Sequence, residues 1–327
     1  MTILKKIGTL LFCLNTFLLL SGCGSQNKPE DSPEKEIVIG FSQLGNESAW
    51  RARNTHSIQN AAAEKNYKLL FDDGLQKQEN QIKAIRSFIA SRVDAIILSP
   101  IVEEGWENVL QEARDARIPV ILSDRGIQGD TDLYETLIGT NAEEEGRNAA
   151  RFLKEKFKNT EGEIQVVEIT GTRDASSSVG RARGFREELQ SDARFLLVAS
   201  ENGDFMLSKG RQAAQKLDEK IGLANVDVLF SHNDDMTLGV LEYLEQTDII
   251  PGKDLVIVSV DAQQEAIDLV KSGKINCTVE CNPNSGQKIM SIVQQILAEE
   301  EVAKEYYLAE TVFSEFSDLD QIAARGY

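Results

Sequence analysis

Glu47 and Arg51 stand four residues apart, with Trp50 beside Arg51, in the stretch from Phe41 to Arg53. That spacing puts two side chains on one face of a helix. The set is a carboxylate that accepts, a guanidinium that donates and an indole ring. It suits a small, uncharged, polyhydroxylated ligand. Each hydroxyl can donate to Glu47 or accept from Arg51, and a ring can cover the C–H face. The same spacing also describes an ordinary ion pair on an exposed helix.

Further polar groups follow apolar runs. Asp124 and Arg125 come directly after Ile121-Leu122-Ser123, Ser231 to Asp235 follow Leu229-Phe230, and Asp261 ends Val258-Ser259-Val260. Asp and Asn at such places also serve as helix caps. A guanidinium has no capping role at a helix start, and the helix dipole disfavours it there. Strand ends that carry such groups form the ligand crevice of an open α/β sheet.

Covalent chemistry finds little support. The Gly171-Thr172-Arg173 stretch lacks the lysine of a phosphate-binding loop, and no Gly-x-Ser-x-Gly elbow occurs. The two histidines are His56 and His232. His232 could in principle act as a base, though a buried histidine at a strand end is the commoner situation. Carboxylates are plentiful, and nothing singles out a glycosidase pair. We therefore expect no enzyme, no catalytic residue, no cofactor and no metal. Of four cysteines, Cys277 and Cys281 lie four apart on a strand, roughly 13 Å from each other and beyond disulfide reach. They read as small buried side chains.

The positioning elements alternate. Strands are predicted over 37–41, 67–71, 95–98, 119–122 and 133–139, with helices over 49–65, 78–91 and 106–116. Asn46 would cap the first helix. The pattern then restarts. Strands over 164–169, 195–199, 226–230, 255–260 and 275–279 alternate with helices over 142–157, 181–189, 209–217, 235–244 and 265–271. A last helix over 285–299 and one tail strand near 306–313 follow. Such βαβ units predict two doubly wound parallel-sheet lobes that meet near Thr140 and Asn141.

The 327 residues suffice for two domains, and a net charge of −18 sets nucleic acid aside as a partner. Lys5 and Lys6 precede an apolar run over 7–20 that is short for a membrane span. It ends in Leu20-Ser21-Gly22-Cys23, which resembles the bacterial lipoprotein signal. That likeness implies cleavage after residue 22 and lipid on Cys23. Residues 24–35 are polar with two prolines and read as a tether.

Beyond the tether the chain resembles the sugar-binding proteins of bacterial ABC importers, in the ribose- and galactose-binding class. The markers are Asp124-Arg125, Arg181 four residues before Phe185, Asn233-Asp234 with Met236 and Gly239, and Val260-Asp261. The run from Gln76 to Ala84, Gly105-Trp106 and the run from Ser231 to Met236 place the likeness nearest the galactofuranose-binding members. Asn46, Ala49 and the stretch 172–180 depart from that pattern. The resemblance implies a type I periplasmic-binding-protein-like fold with two hinged lobes crossed three times. The N-terminal lobe would hold 36–140 and about 283–305, and the C-terminal lobe 141–282 and about 306–327. Ligand contacts are implied for Glu47, Arg51, Asp124, Arg125, Arg181, Asn233 and Asp261, with Trp50, Ser99 and Phe205 as further candidates. The implied partners are a monosaccharide, first galactofuranose and otherwise ribose or another sugar, a membrane permease, and the membrane itself through Cys23. The chain would be a monomer on the outer or periplasmic face of the cell membrane.

Three other readings were weighed. A lac-repressor-type regulator shares this core, but carries a helix-turn-helix where a lipoprotein signal stands here. A surface-anchored sugar enzyme would need an activated nucleophile. A sugar-sensing partner of a membrane receptor would use the same binding core. Lipidation needs a thiol, so Cys23→Ala should leave a protein that fractionates as soluble or stays unprocessed. Unchanged membrane association in cell fractionation would exclude the anchor.

Overall fold

The computed structural model describes residues 36–327, so the expected signal peptide, Cys23 and the tether lie outside the described residues. The first half builds β1 (Val38–Gln43), α1 (Ala49–Glu64), β2 (Lys68–Asp73), α2 (Gln78–Ala90), β3 (Ala95–Leu98), α3 (Glu107–Asp115), β4 (Val120–Ser123) and β5 (Thr136–Gly139). All of β3 and β4 is buried. Strands covered on both faces read as continuous apolar runs, which is why these two were legible as such. Two apolar clusters fill the two faces of this sheet, one around Ile85, Trp106 and Leu110, the other around Phe41, Ile58 and Ile289.

The second half repeats the scheme. It comprises α4 (Ala142–Lys156), β6 (Ile164–Thr170), α5 (Ser176–Leu189), β7 (Phe195–Asn202), α6 (Leu207–Ile221), β8 (Val228–Ser231), α7 (Asp234–Leu244), β9 (Val256–Asp261), α8 (Gln264–Lys271) and β10 (Cys277–Glu280). Then come α9 (Gly286–Leu297), β11 (Glu305–Tyr307) and β12 (Val312–Ser314). Read from one edge, the sheets run β2-β1-β3-β4-β5-β11 and β7-β6-β8-β9-β10-β12. Every pairing is parallel except β10 with β12. Both lobes thus share one topology, with the order reversing beside β1 and beside β6, where an open sheet leaves its ligand crevice.

Three predicted boundaries change. The cap of α1 is Ser48, whose hydroxyl accepts from Arg51 N at 3.1 Å, in place of Asn46. Helix α5 starts at Ser176, although Gly180 and Gly184 weaken its periodicity. The single tail strand is two short strands, and Tyr306 and Tyr307 belong to the first sheet while Val312 to Ser314 join the second. Short edge strands carry too little periodicity to be assigned to a sheet from sequence. The chain therefore passes between the sheets around 140–141, 281–285 and 308–311, and α9 packs its Ile289, Met290 and Val293 into the first lobe.

Helices α4 and α5 meet backbone to backbone. A Cβ on Gly184 would come 1.9 Å from Glu143 O. This close approach seats Arg181 on α5 beside Glu145 on α4. Gly184→Val should therefore force the helices apart at a cost of roughly 1–3 kcal/mol. Thermal unfolding followed by circular dichroism should show a midpoint several degrees lower, and an unchanged midpoint would contradict the contact.

Candidate ligand-binding site

The carboxyl ends of β1 and β4 place four charged groups together. Arg51 Nε donates to Glu47 Oε1 at 3.1 Å and Arg51 Nη2 to Asp124 Oδ2 at 2.6 Å. Arg125 Nη2 reaches Glu47 Oε1 at 3.4 Å, and its Nη1 donates to Ile101 O at 3.3 Å. Gln76 Nε2 holds the second Glu47 oxygen at 3.0 Å. Both arginine side chains are at most 3% exposed. Taking such charges out of water is tolerable only because each is paired.

The second lobe supplies the opposite wall. Arg181 Nε donates to Glu145 Oε2 at 2.6 Å, another of its nitrogens donates to His232 O, and its Nη2 lies 3.6 Å from Asp261 Oδ1. That last distance exceeds a hydrogen bond, so Asp261 keeps its acceptors free. The Phe205 ring lies 5.2 Å from the Arg125 guanidinium and 5.7 Å from that of Arg181, between the lobes. It rests on Gly171, where a Cβ would sit 2.0 Å from the ring. Asn233 caps α7 through Met236 N at 3.0 Å and donates to Phe205 O at 3.2 Å. Trp50, under the Arg51 guanidinium at 4.7 Å, donates to Cys281 O at 2.5 Å.

These groups line a cavity closed down to about 20 Å³, room for about one water molecule, so a ligand must enter with the lobes apart. The lobes are closed over it. Glu103 N donates to Asp174 O at 2.9 Å, Gly126 N to Ser176 Oγ at 2.8 Å, and Ala49 N to Asp235 Oδ1 at 3.3 Å. Asp124, Phe205 and Asp261 have left-handed backbone, with φ of 69°, 61° and 118°. Such strain persists where the surroundings over-determine it, and it gathers at functional sites.

The cavity walls include nine of the ten predicted residues, namely Glu47, Trp50, Arg51, Asp124, Arg125, Arg181, Phe205, Asn233 and Asp261. Ser99 is not among them. It is fully buried at the end of β3, where its carbonyl accepts from Gln81. Ser48, Ser177 and Cys281 also line the cavity. Cys281 follows β10 and was recoverable by the strand-end argument. Ser177 lies in a stretch without a signal, because α5 begins there without a side-chain cap. His232 is fully buried, its Nδ1 accepting from Gly171 N at 3.3 Å and its Nε2 3.0 Å from Glu168 Oε1. Both nitrogens are occupied and burial lowers its pKa, so His232 does not face the cavity as a free base.

Electrostatics follow burial. Burial, then Arg51, lowers the Arg125 pKa to about 10, and Glu47 and Asp124 limit the fall. Burial raises Glu47, but Arg51 and Arg125 hold it below its ordinary value. Burial pushes Asp261 well above the carboxylate range against the pull of Arg181. Behind Arg181 lies a cluster drawn from the three crossings, namely Glu145, Cys281 and Glu310, with ligand atoms within 4.8 Å of one another. Arg181 already supplies positive charge there. Glu145 Oε1 and Glu310 Oε1 are buried without a hydrogen-bond partner, and a proton kept on Glu310 would let the two carboxyls pair. Burial and then Glu145 push Glu310 up to about 11.

The periplasmic binding protein domain family matches residues 39–301. This chain is a member of that family. It is 38% identical over 251 residues to the galactofuranose-binding protein of Escherichia coli K12, covering 76% of this chain and 78% of that one. Among solved structures it is similar to a Mycobacterium smegmatis protein in complex with β-D-fucofuranose, with a TM-score of 0.83 and 40% identity, covering 85% and 91% of the two chains. It is also similar to the arabinose ABC transporter binding protein of Shewanella sp. ANA-3 bound to α- and β-L-arabinofuranose, with a TM-score of 0.80 and 36% identity, covering 85% and 92%. The Escherichia coli and Shewanella relatives are both named as binding proteins.

The raised pKa of Glu310 has a sign. The folded chain holds a proton there that the unfolded chain releases above about 4.5, so stability from this group is present below that pH and is lost toward about 11. Thermal midpoints across pH 5 to 9 should fall for the wild type and fall less steeply for Glu310→Gln. Identical pH slopes would exclude the shared proton.

Proposed function

We propose that this chain captures a sugar in its furanose form, galactofuranose first, and delivers it to an ABC import permease while lipid on Cys23 holds it at the outer or periplasmic face of the cell membrane. The observation that carries the reading is the pattern of unspent hydrogen bonds in a cavity whose arginines are already paired. Arg51 and Arg125 face Glu47 and Asp124, and Arg181 faces Glu145, with Asp261 nearby. With each guanidinium paired, no cation is left over for an anionic ligand. Arg51 Nη1, Arg125 Nε and the Ser177 hydroxyl remain buried without partners, and Asp261 has acceptors to spare. Hydroxyls of an uncharged ring would satisfy both kinds, and the Trp50 and Phe205 rings would meet its C–H faces.

The furanose form is favoured by three relatives at 34–40% identity, which are described with galactofuranose, fucofuranose and arabinofuranose. Transport is favoured by the same set, one of which belongs to an arabinose ABC transporter. The chain is read as a monomer whose lobes hinge at the three crossings, closing over ligand as periplasmic binding proteins do.

Hydrogen bonds to charged groups contribute roughly 1.5–3 kcal/mol each. Arg125→Ala removes donors and loosens Glu47, so it should weaken sugar binding at least tenfold, about 1.4 kcal/mol. Calorimetry of wild type and variant against galactofuranose, arabinofuranose and ribose tests both site and ligand. Tight ribose binding with no response to either furanose would overturn the ligand class. Unchanged affinity in Arg125→Ala would overturn the site.

A further inference from the structure

Asp124 and Ser177 line the cavity described above and, on their other side, a second one. The second has about 310 Å³ of free space, against about 20 Å³ for the first. Its walls come from both lobes and the hinge, with Glu103 and Leu137 from one, Ser176 and Arg183 from the other, and Asn141 and Tyr307 at the crossings. Gly126 and Ser176, joined across the lobes at 2.8 Å, also face it. The space is therefore assembled by the same closure that completes the first site.

Its chemistry matches that of the first cavity. Tyr307 leaves 48% of its surface exposed, and Glu305 Oε2 accepts from its hydroxyl at 2.9 Å. An aromatic face with a polar tip is the kind of surface on which a sugar ring rests. Arg183 Nη1 donates to Glu143 Oε1 at 2.6 Å, so donor and acceptor stand side by side on the opposite wall. Ser177 sits on the partition, only 8% exposed, and its hydroxyl has no partner. A buried hydroxyl in that state calls for an oxygen from outside the protein. Asp124 and Ser177 are common to both linings, so a ligand that outgrows the first cavity has the second directly beside it.

We propose that the second cavity receives a further sugar residue glycosidically linked to the bound furanose, so that the protein takes furanosyl disaccharides as well as the free sugar. This rests on the furanose reading of the first cavity. The linkage passes between Asp124 and Ser177, with the Ser177 hydroxyl donating to it. The second ring lies against Tyr307, and its hydroxyls meet Glu143 and Arg183.

Calorimetry on wild type, Tyr307→Ala and Tyr307→Phe, each with galactofuranose and with a galactofuranosyl-galactose disaccharide, tests this. Wild type should bind the disaccharide within about tenfold of the free sugar. Tyr307→Ala should weaken the disaccharide at least about tenfold and leave the free sugar within about twofold, while Tyr307→Phe keeps both. Tyr307 is surface-exposed, and unchanged free-sugar affinity certifies the fold of each variant. Exclusion of the disaccharide by a wild type that binds the free sugar overturns this inference alone, as does an equal loss for both sugars in Tyr307→Ala. Absence of binding by either sugar overturns it together with the furanose reading.

Discussion

A guanidinium removed from water must be met by acceptors fixed in place, and this chain buries three of them around one cavity. Arg51, Arg125 and Arg181 are each at most 3% exposed. Their acceptors come from separate elements: Glu47 precedes α1, Asp124 follows β4, Glu145 lies on α4 and the His232 carbonyl follows β8. An uncompensated buried charge is strongly destabilising, by about 3–5 kcal/mol. The sheets, the glycine contact of α4 with α5 and the left-handed turns at Asp124 and Asp261 can all be understood as holding acceptors where those cations are.

The pairing also explains how a polar site can be rigid without being saturated. A guanidinium has five N–H donors in a fixed fork, and two or three bonds suffice to orient it. Arg51 is fixed by Glu47 and Asp124 and still has Nη1 unspent. Arg125 is fixed by Glu47 and Ile101 O and has Nε unspent. Donors held in position before the ligand arrives cost little ordering on binding. The aromatic contacts are arranged on the same logic, with Phe205 touching a cation from each lobe and Trp50 reaching across to Cys281 O.

The hinge shares groups with the site. Cys281 lines the cavity and leaves β10, and Glu145, beside the first crossing, pairs with Arg181 and meets Glu310 from the third. Arg181, in the cavity wall, is thus one step removed from all three crossings. The buried carboxyl pair needs its proton because Arg181, one cation, faces Glu145, Glu310 and Asp261 together.

The sequence by itself determined the two α/β lobes, because strands buried on both faces leave continuous apolar runs and βαβ spacing forces parallel order. It also exposed the charged groups at the ends of β1, β4, β8 and β9, since a polar residue directly after a buried strand lies at the carboxyl edge of the sheet, where the crevice opens. Arg125 was the clearest, having no local role to explain it. What the tertiary structure decided depended on contacts distant in the chain. Ser99 obeys the strand-end rule and yet stays out of the cavity, because the fold buries it behind Gln81. Ser177 faces the cavity through the start of α5, a boundary with no cap to mark it. Tyr306 and Tyr307 join the first sheet and Val312 to Ser314 the second, since three-residue strands are placed by the edge they find and not by their own pattern. Glu145 and Glu310 stand 165 positions apart in the sequence, and a shared proton between two carboxyls leaves no trace in either one's neighbours along the chain.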